Sequence, residues 1–348
     1  MNEYWMVIEL FGTNPPRPAV LDREALPGLV AIANEVNAAL VSEHLSAVVG
    51  PRNRVTAQER MAQTEEYIHK TFEKFGWNAE RQEYETRARV APGIYQDLSG
   101  VNVVATKKGK NADRIIIVGA HYDTVDNTPG ADDNGTGIAA LLELARILGK
   151  HLYNKTLVLV AFDMEEIGLL GSKVFVQKLP SDAVVEGAII FDAIGYIDEK
   201  ENSQRIPSGL SLLYRQQAGW VKRNRFRGNF LTVIHNGKSK KLASLFAGAN
   251  QSLKESIPLV FMRDPLDLPA LGPILRRLFP ALKDLLRSDH VHFWRAKLPA
   301  IQLTDSADFR NSNYHRPTDV LDTIDFTAVE KAVRTVVITV SALAEIQE

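Results

Sequence analysis

The stretch VGAHYDTVDNTPGADDNGTG, residues 118–137, decides how this chain is read. The apolar run Ile115-Ile116-Ile117-Val118 stops at His121-Tyr122-Asp123, and a short loop leads to Gly130-Ala131-Asp132-Asp133-Asn134-Gly135. Beyond it the chain is apolar again, from Ile138 to Leu148. A strand and a helix fit for a core are therefore joined by a loop that gathers one imidazole and several carboxylates. Such a loop asks for a chemical reason.

Working outward, short apolar runs recur at 101–105, 157–162, 187–191, 229–234 and 299–303, and 79–87 also reads as a strand. Their length and β-branched content predict buried strands. Helical spacing covers 137–148, with Gly149 as its stop, and 169–178. Thr56-Ala57-Gln58-Glu59 has the form of a capping box. It opens a helix carrying Met61, Ile68, Phe72 and Phe75 and ending at Gly76. A second such box, Thr327-Ala328-Val329-Glu330, opens a last helix to about 345. Strands alternating with helices predict an α/β fold: a three-layer α/β/α sandwich with a mostly parallel, mixed central sheet. The whole chain, 1–348, is expected to form one domain. It would carry a Pro-rich N-terminal arm over about 1–40 and an elaboration over about 200–295 near the active site.

Composition removes several functions. With 41 Lys+Arg against 42 Asp+Glu the net charge is −1, so nothing favours nucleic acid as a partner. No apolar stretch approaches the roughly 18 residues of a membrane span. The opening MNEYWMVIELFGTNPP has no basic leader region, so the cytoplasm is the expected compartment. A secreted or periplasmic location is the alternative if a leader was removed before residue 1. There is no cysteine, so any metal here is held by His, Asp and Glu.

In open α/β sheets ligands bind beyond the carboxyl ends of the strands. The residues at those ends are His121-Tyr122-Asp123, Asp163-Met164-Glu165-Glu166, Asp192, and Thr304-Asp305 followed by Asn313-Tyr314-His315. Asp132-Asp133 opens the helix after the first of these strands. Each group alone has an ordinary explanation as a cap, a turn or a solvated pair. Together they form a set of imidazoles and carboxylates at one sheet edge. That set suits zinc, and a metal pair about 3.5–4 Å apart needs a bridging carboxylate with further ligands on each side. In His-x-Asp the acid can orient the ring through its second nitrogen. Adjacent glutamates can divide the work between ligand and general base, since side chains along an extended segment point opposite ways.

AHYDT (120–124), PGADDNGTG (129–137), FDMEEIGLLGS (162–172), FDAIGY (191–196), SDHVHFW (288–294) and YHRPTDVLDTID (314–325) together resemble zinc metallopeptidase family 28, in its co-catalytic dizinc aminopeptidase type. GPRNRV (50–55) and FEKFGW (72–77) extend the likeness toward the N-terminus. The resemblance implies two zinc ions per chain. His121 and Asp192 would hold one, Glu166 and His315 the other, and Asp133 would bridge them. Glu165 would be the general base, and Asp123 would orient His121. Asp289, His290 and Tyr314 would lie on the substrate side. Where the family often has proline after Ser-Asp-His-x, this chain has His292, which is expected on the surface.

The implied activity is aminopeptidase, with peptides as substrates. A carboxypeptidase or dipeptidase of the same fold is the alternative, ahead of a glutaminyl cyclase or a non-catalytic receptor-like module. Gly135 and Gly137 would let the backbone turn into the helix. The leucine-rich stripe from Leu271 to Leu286, broken by Pro280, would pack on the domain, form a lid or make a dimer contact. KRNRFRGN (222–229) reads as a solvated turn. Side-chain preference and oligomeric state are not fixed by the sequence.

Overall fold

A computed structural model describes residues 12–269 and 271–347. Its first half runs through α1 (Leu26–Ala33), α2 (Ala38–Val48), α3 (Gln58–Lys74), β1 (Asn78–Ala91), β2 (Ile94–Lys107), β3 (Asn111–His121), α4 (Gly137–Leu148), β4 (Lys155–Phe162), α5 (Leu170–Gln177) and β5 (Val184–Phe191). The second half adds α6 (Leu210–Leu213), α7 (Arg215–Arg223), β6 (Leu231–His235), α8 (Lys240–Ser252), β7 (Leu259–Arg263), α9 (Leu271–Leu278), α10 (His290–Arg295), β8 (Ala300–Thr304) and α11 (Phe326–Ala344).

The strands form one sheet of eight in the order β1-β2-β4-β3-β5-β8-β6-β7. β4, β3, β5 and β8 are parallel neighbours, so their carboxyl ends share one edge. β1–β2, β2–β4 and β6–β8 are antiparallel, which makes the sheet mixed as the sequence predicts. Alternation along β3 sends Ile116 and Val118 to one face and Ile115 and Ile117 to the other. The first face meets α4, α8 and α11, the second meets Phe175 of α5 and Phe293 of α10. Three layers follow from strands that are apolar on both sides.

Several expectations need correction. The first eleven residues of the expected arm, and residue 270, lie outside the described residues. Beyond Leu26 the arm is not irregular, because α1 and α2 bury Leu29, Val41, Leu45 and Val48 in the main core. The Asn37 side chain starts α2 by accepting from the Ala39 amide. Neither capping box forms. Thr56 donates to Asp126 across the fold, and the cap of α11 is Asp325, whose carboxylate accepts from the Ala328 amide. The 200–295 region supplies β6 and β7, so it extends the sheet itself, and β7 was not anticipated. The stripe splits at Pro280 and packs on the domain through Leu275, Leu282 and Leu285. KRNRFRGN begins as the last residues of α7 and continues as a turn, in which Arg225 and Arg227 both reach Glu201. Among the described residues no helix is long and apolar enough to cross a membrane.

His235, at the end of β6, is buried and its Nδ1 donates to the Asn236 carbonyl. Burial lowers its pKa to about 4, with Arg263 and Lys240 adding to that and Asp267 opposing it. Its folded pKa lies below its unfolded value near 6.5, so its stabilising contribution is present above about pH 6.5 and is lost as pH falls toward 4. A His235→Asn variant lacks that dependence. The gap in urea midpoint between wild type and variant should therefore narrow from pH 6.5 to pH 4. A constant gap would show that His235 titrates alike in both states.

Candidate active site

The loop after β3 is fixed before any functional group is placed. The Arg52 guanidinium is wholly buried, and it donates to the carbonyls of Tyr122, Val48, Gly50, Pro129 and Gly130 at 2.7–2.9 Å. Its backbone exchanges bonds with Thr124, and Asn53 holds the Thr124 carbonyl. Arg54 pairs with Asp163 at 2.6 Å and with Glu65 at 3.0 Å, tying the loop after β4 to α3. The turn into the Asp132-Asp133 segment falls at Gly130, whose φ of 61° favours glycine. Gly135 matters for space, since a Cβ there would meet Leu45 at 2.5 Å, and Gly137 has ordinary helical φ of −63°.

On this base the seven predicted catalytic and metal-site residues converge. His121 Nε2 lies 3.3 Å from Asp133 Oδ1 and 3.8 Å from Asp192 Oδ1, and its Nδ1 faces Asp123 Oδ1 at 3.4 Å. His315 Nε2 lies 2.9 Å from Asp133 Oδ2 and 3.4 Å from Glu166 Oε2. Two triples emerge, His121–Glu165–Asp192 and His121–Asp133–Glu166, each with ligand atoms within 4.8 Å of one another. Asp133 lies between the two imidazoles, one oxygen toward each.

Asp123 does more than face the ring of His121. Its two oxygens accept from the amides of Glu165 and Glu166 at 3.0 and 3.1 Å. Asp319 does the same for the amides of Asp132 and Asp133, at 2.8 and 3.1 Å. Glu165 and Glu166 are not in an extended segment. They sit in a turn closed by the Gly168 and Leu169 amides donating to the Glu165 carbonyl, so both carboxylates reach the site. Their different placement follows from that turn and from Asp123. The opposite-facing argument of the sequence does not apply.

The charges show what the cluster wants. Burial opposes a charged His121, yet Glu165, Asp123, Asp133 and Asp192 hold its pKa well above the ordinary range. His315 is likewise pushed up to about 10 by Asp133 and Glu166 against the effect of burial. Burial and the charge of Asp133 push Glu166 up to about 7. Carboxylates that resist ionising beside imidazoles that cling to protons describe a pocket short of positive charge. Glu166 Oε1 is buried with no hydrogen-bond partner, and no hydrogen bond of good geometry satisfies Asp133 Oδ2. Imidazole and carboxylate donors of this kind fit zinc.

The substrate-side group divides. Tyr314 stacks on His315 at 3.8 Å and lines a large cavity beside Asp192. Asp289 and His290 are wholly buried, and neither Asp289 carboxylate oxygen has a hydrogen-bond partner. His290 Nε2 donates to the Leu285 carbonyl, and burial with the field of nearby acids pushes Asp289 up to about 7. His292 is buried, contrary to the surface position expected. Asp305, another acid at a strand end, turns away and accepts from the amides of Tyr196 and Ala307. Sequence reasoning gave no role to Arg52, Asp319 or Gln302, whose Nε2 lies 3.3 Å from Asp192 Oδ2. PRNR and PTD stood inside quoted motifs, but nothing local marks their side chains as buried.

A mixed α/β/α sheet with two imidazoles and five carboxylates gathered at its carboxyl edge defines a metal-dependent hydrolase architecture. The chain belongs to peptidase family M28, whose model matches residues 102–231 and 271–340. It is 28% identical over 323 residues to protein YfbL of Escherichia coli (strain K12), covering 89% of this chain and 88% of that one. It is 40% identical over 103 residues to aminopeptidase YwaD of Bacillus subtilis (strain 168), a stretch spanning 28% of this chain and 23% of that relative. Its fold matches the aminopeptidase from Aneurinibacillus sp. strain AM-1 with a TM-score of 0.65 at 17% identity, covering 90% of this chain and 95% of that one. A glutaminyl cyclase of Porphyromonas gingivalis matches at 0.59 and 20% identity, covering 89% and 98%.

Arg52→Lys keeps the charge and loses the fork that reaches five carbonyls. Carbonyls left buried without donors should lower the unfolding free energy by about 3 kcal/mol, measured by urea denaturation. A variant as stable as wild type would show that the clamp is dispensable.

Proposed function

We propose that this chain is a dizinc aminopeptidase that hydrolyses the N-terminal peptide bond of peptides. The observation that carries this reading is Asp133 lying between His121 and His315, with Asp192 on the His121 side and Glu166 on the His315 side. His121 and Asp192 would hold one zinc ion, Glu166 and His315 the other, with Asp133 shared. Bound there, the pair supplies Lewis acidity to the scissile carbonyl and to the attacking water.

The remaining work belongs to side chains. Glu165 is the general base: its carboxylate takes a proton from the attacking water and returns it to the leaving amine. Asp123 fixes the backbone of Glu165 and Glu166 and faces His121, so one carboxylate sets base and ligand together. The excess of carboxylates draws an α-ammonium group, and Asp192 and Tyr314 stand where the cavity meets the site. YwaD and the Aneurinibacillus protein are named aminopeptidases, which supports the same reading. One observation favours a carboxypeptidase instead: Arg287 lines the cavity and could meet a terminal carboxylate. It is already paired with Asp308 at 2.8 Å and lies 3.3 Å from the Tyr314 hydroxyl. Cell fractionation distinguishes a cytoplasmic from a periplasmic or secreted location.

Glu165→Gln keeps its shape and cannot accept a proton. Turnover should fall by a factor on the order of 10²–10⁴ while zinc content stays near wild type. Glu166→Gln should lose metal and turnover together. Zinc stoichiometry and rate measured in parallel decide it, and the reverse pattern would swap the two roles.

Aminoacyl amides with a free amine should be cleaved and their N-acetylated forms left intact. Release of C-terminal residues from N-blocked peptides would move the assignment to carboxypeptidase.

A further inference from the structure

The hairpin of β1 and β2 outruns the rest of the sheet. β2 pairs with β4 only from Val103 to Lys107, whereas its pairing with β1 continues back to Ile94. β4 ends at Phe162, on the edge where the acids and histidines gather. The hairpin therefore stands beyond that edge, and from Val101 to Tyr95 it rises about 20 Å. One side of β2 is covered by β1. The other, which β4 occupies lower down, faces the site.

The phase of the backbone shows which groups point there. In an antiparallel pair one residue turns its N–H and C=O toward the partner strand and the next turns them away. The Val101 amide donates to Asp163 Oδ2 at 2.9 Å, and its carbonyl accepts from the Tyr122 hydroxyl at 2.6 Å. Glu83, opposite Val101, turns its carbonyl outward to Lys178 at 3.0 Å, as the same phase requires. Ser99, Asp97 and Tyr95 keep this register and so point the same way as Val101. All three are exposed, and among the described residues their amides and carbonyls meet no partner on that side.

The foot of this edge belongs to the site. Tyr122 follows His121, Asp163 precedes Glu165 by two positions, and a side chain at Gly100 would strike Met164. The outer strand β1 carries Glu80, Glu83, Glu85, Arg87 and Arg89, charges that discourage the addition of a further strand. From Leu98 to Val101 the inner strand has none.

We propose that the inner edge of β2 receives the leaving part of a peptide substrate as an added strand, so that extended peptides of about six to ten residues are preferred to dipeptides and aminoacyl amides. Asp192 and the large cavity lie on the β5–β8 side. An N-terminal residue held there sends the rest of the peptide across β3 and β4 toward β2. Two inter-strand steps of about 4.8 Å take about three residues. Beyond them the peptide runs up the edge antiparallel to β2, bonding Ser99, Asp97 and Tyr95 through every second residue. Main-chain bonds read no side chains, so length governs this preference. The inference rests on the aminopeptidase reading and adds the substrate class to it.

The test gives the zinc-loaded full chain leucine amide and leucyl peptides of alternating alanine and threonine, up to about ten residues. Beyond about four residues, each added pair should raise kcat/KM about fivefold until Tyr95 is reached. N-methylation walked along the longest peptide should cost that factor at alternate positions and little at those between. Asp97→Pro removes an amide that points at the peptide and leaves the β1 ladder whole. It should keep leucine amide turnover and lower the ratio of longest to shortest substrate by more than fivefold. Release of leucine at a rate indifferent to length, or N-methyl effects without alternation, overturns the edge and leaves the aminopeptidase reading standing. An unchanged ratio in Asp97→Pro also overturns the edge. Calorimetry with the same peptides reads the edge without turnover. Affinity that rises with length and alternates with N-methylation, in a protein that never releases leucine, upholds the edge and overturns the aminopeptidase reading.

Discussion

A guanidinium sealed from water and bonded only to backbone carbonyls, that of Arg52, joins the end of α2, the chain after β3 and the Pro129-Gly130 turn. An isolated buried cation is costly, and here burial lowers the pKa of Arg52 to about 10 while Asp319, Asp123 and Asp133 act to keep it charged. Dependence therefore runs both ways. The acids at the sheet edge need the cation behind them, and the cation is tolerable only because the acids are there. Two loops that are far apart in sequence acquire one geometry through this exchange.

The same economy of parts governs the layer in front. Asp123 grips the backbone of Glu165 and Glu166, Asp319 grips that of Asp132 and Asp133, and Asn134 bonds the Phe191 carbonyl and the Ala193 amide. Each strand end is thus tied to another by one short polar side chain, whose rotamer is fixed by the amides it meets. The oxygens of Asp133 and Glu166 are free to face inward because neighbouring residues, not solvent, hold their backbones. A preorganised anionic pocket of this kind needs no rearrangement to receive cations.

Much of this was visible in the residues. The runs of β3, β4 and β5 are apolar on both faces and that of β8 on one, and the acids and histidines stand after them, so sheet and site could be read together. β7 escaped because Leu259–Arg263 is only five residues long and is followed at once by Asp264-Pro265. α1 and α2 were obscured by the prolines before them. The helix starts were misjudged by two residues or fewer. The reason is chemical in each case: Asp325 outcompetes Thr327 as a cap, and Thr56 finds an acid across the fold. Arg52 and Asp319 could not be assigned from sequence, because the partners that tie them to the site lie 70 or more positions away and periodicity carries no trace of them.

The family's model leaves out 232–270, and that interval holds β6 beyond its first residue, α8 and β7. None of the seven catalytic and ligand residues falls inside it, whereas Thr232, Ile234, Val260 and Met262 all do. The imidazoles and carboxylates gathered at the sheet edge and these four cavity-lining residues therefore occupy separate tracts of the chain. Both border one cavity, where Asp192 and Tyr314 stand with Thr232, Ile234, Val260 and Met262. The shape of that cavity can therefore change through one tract while the cluster of acids and histidines in the other is left as it is.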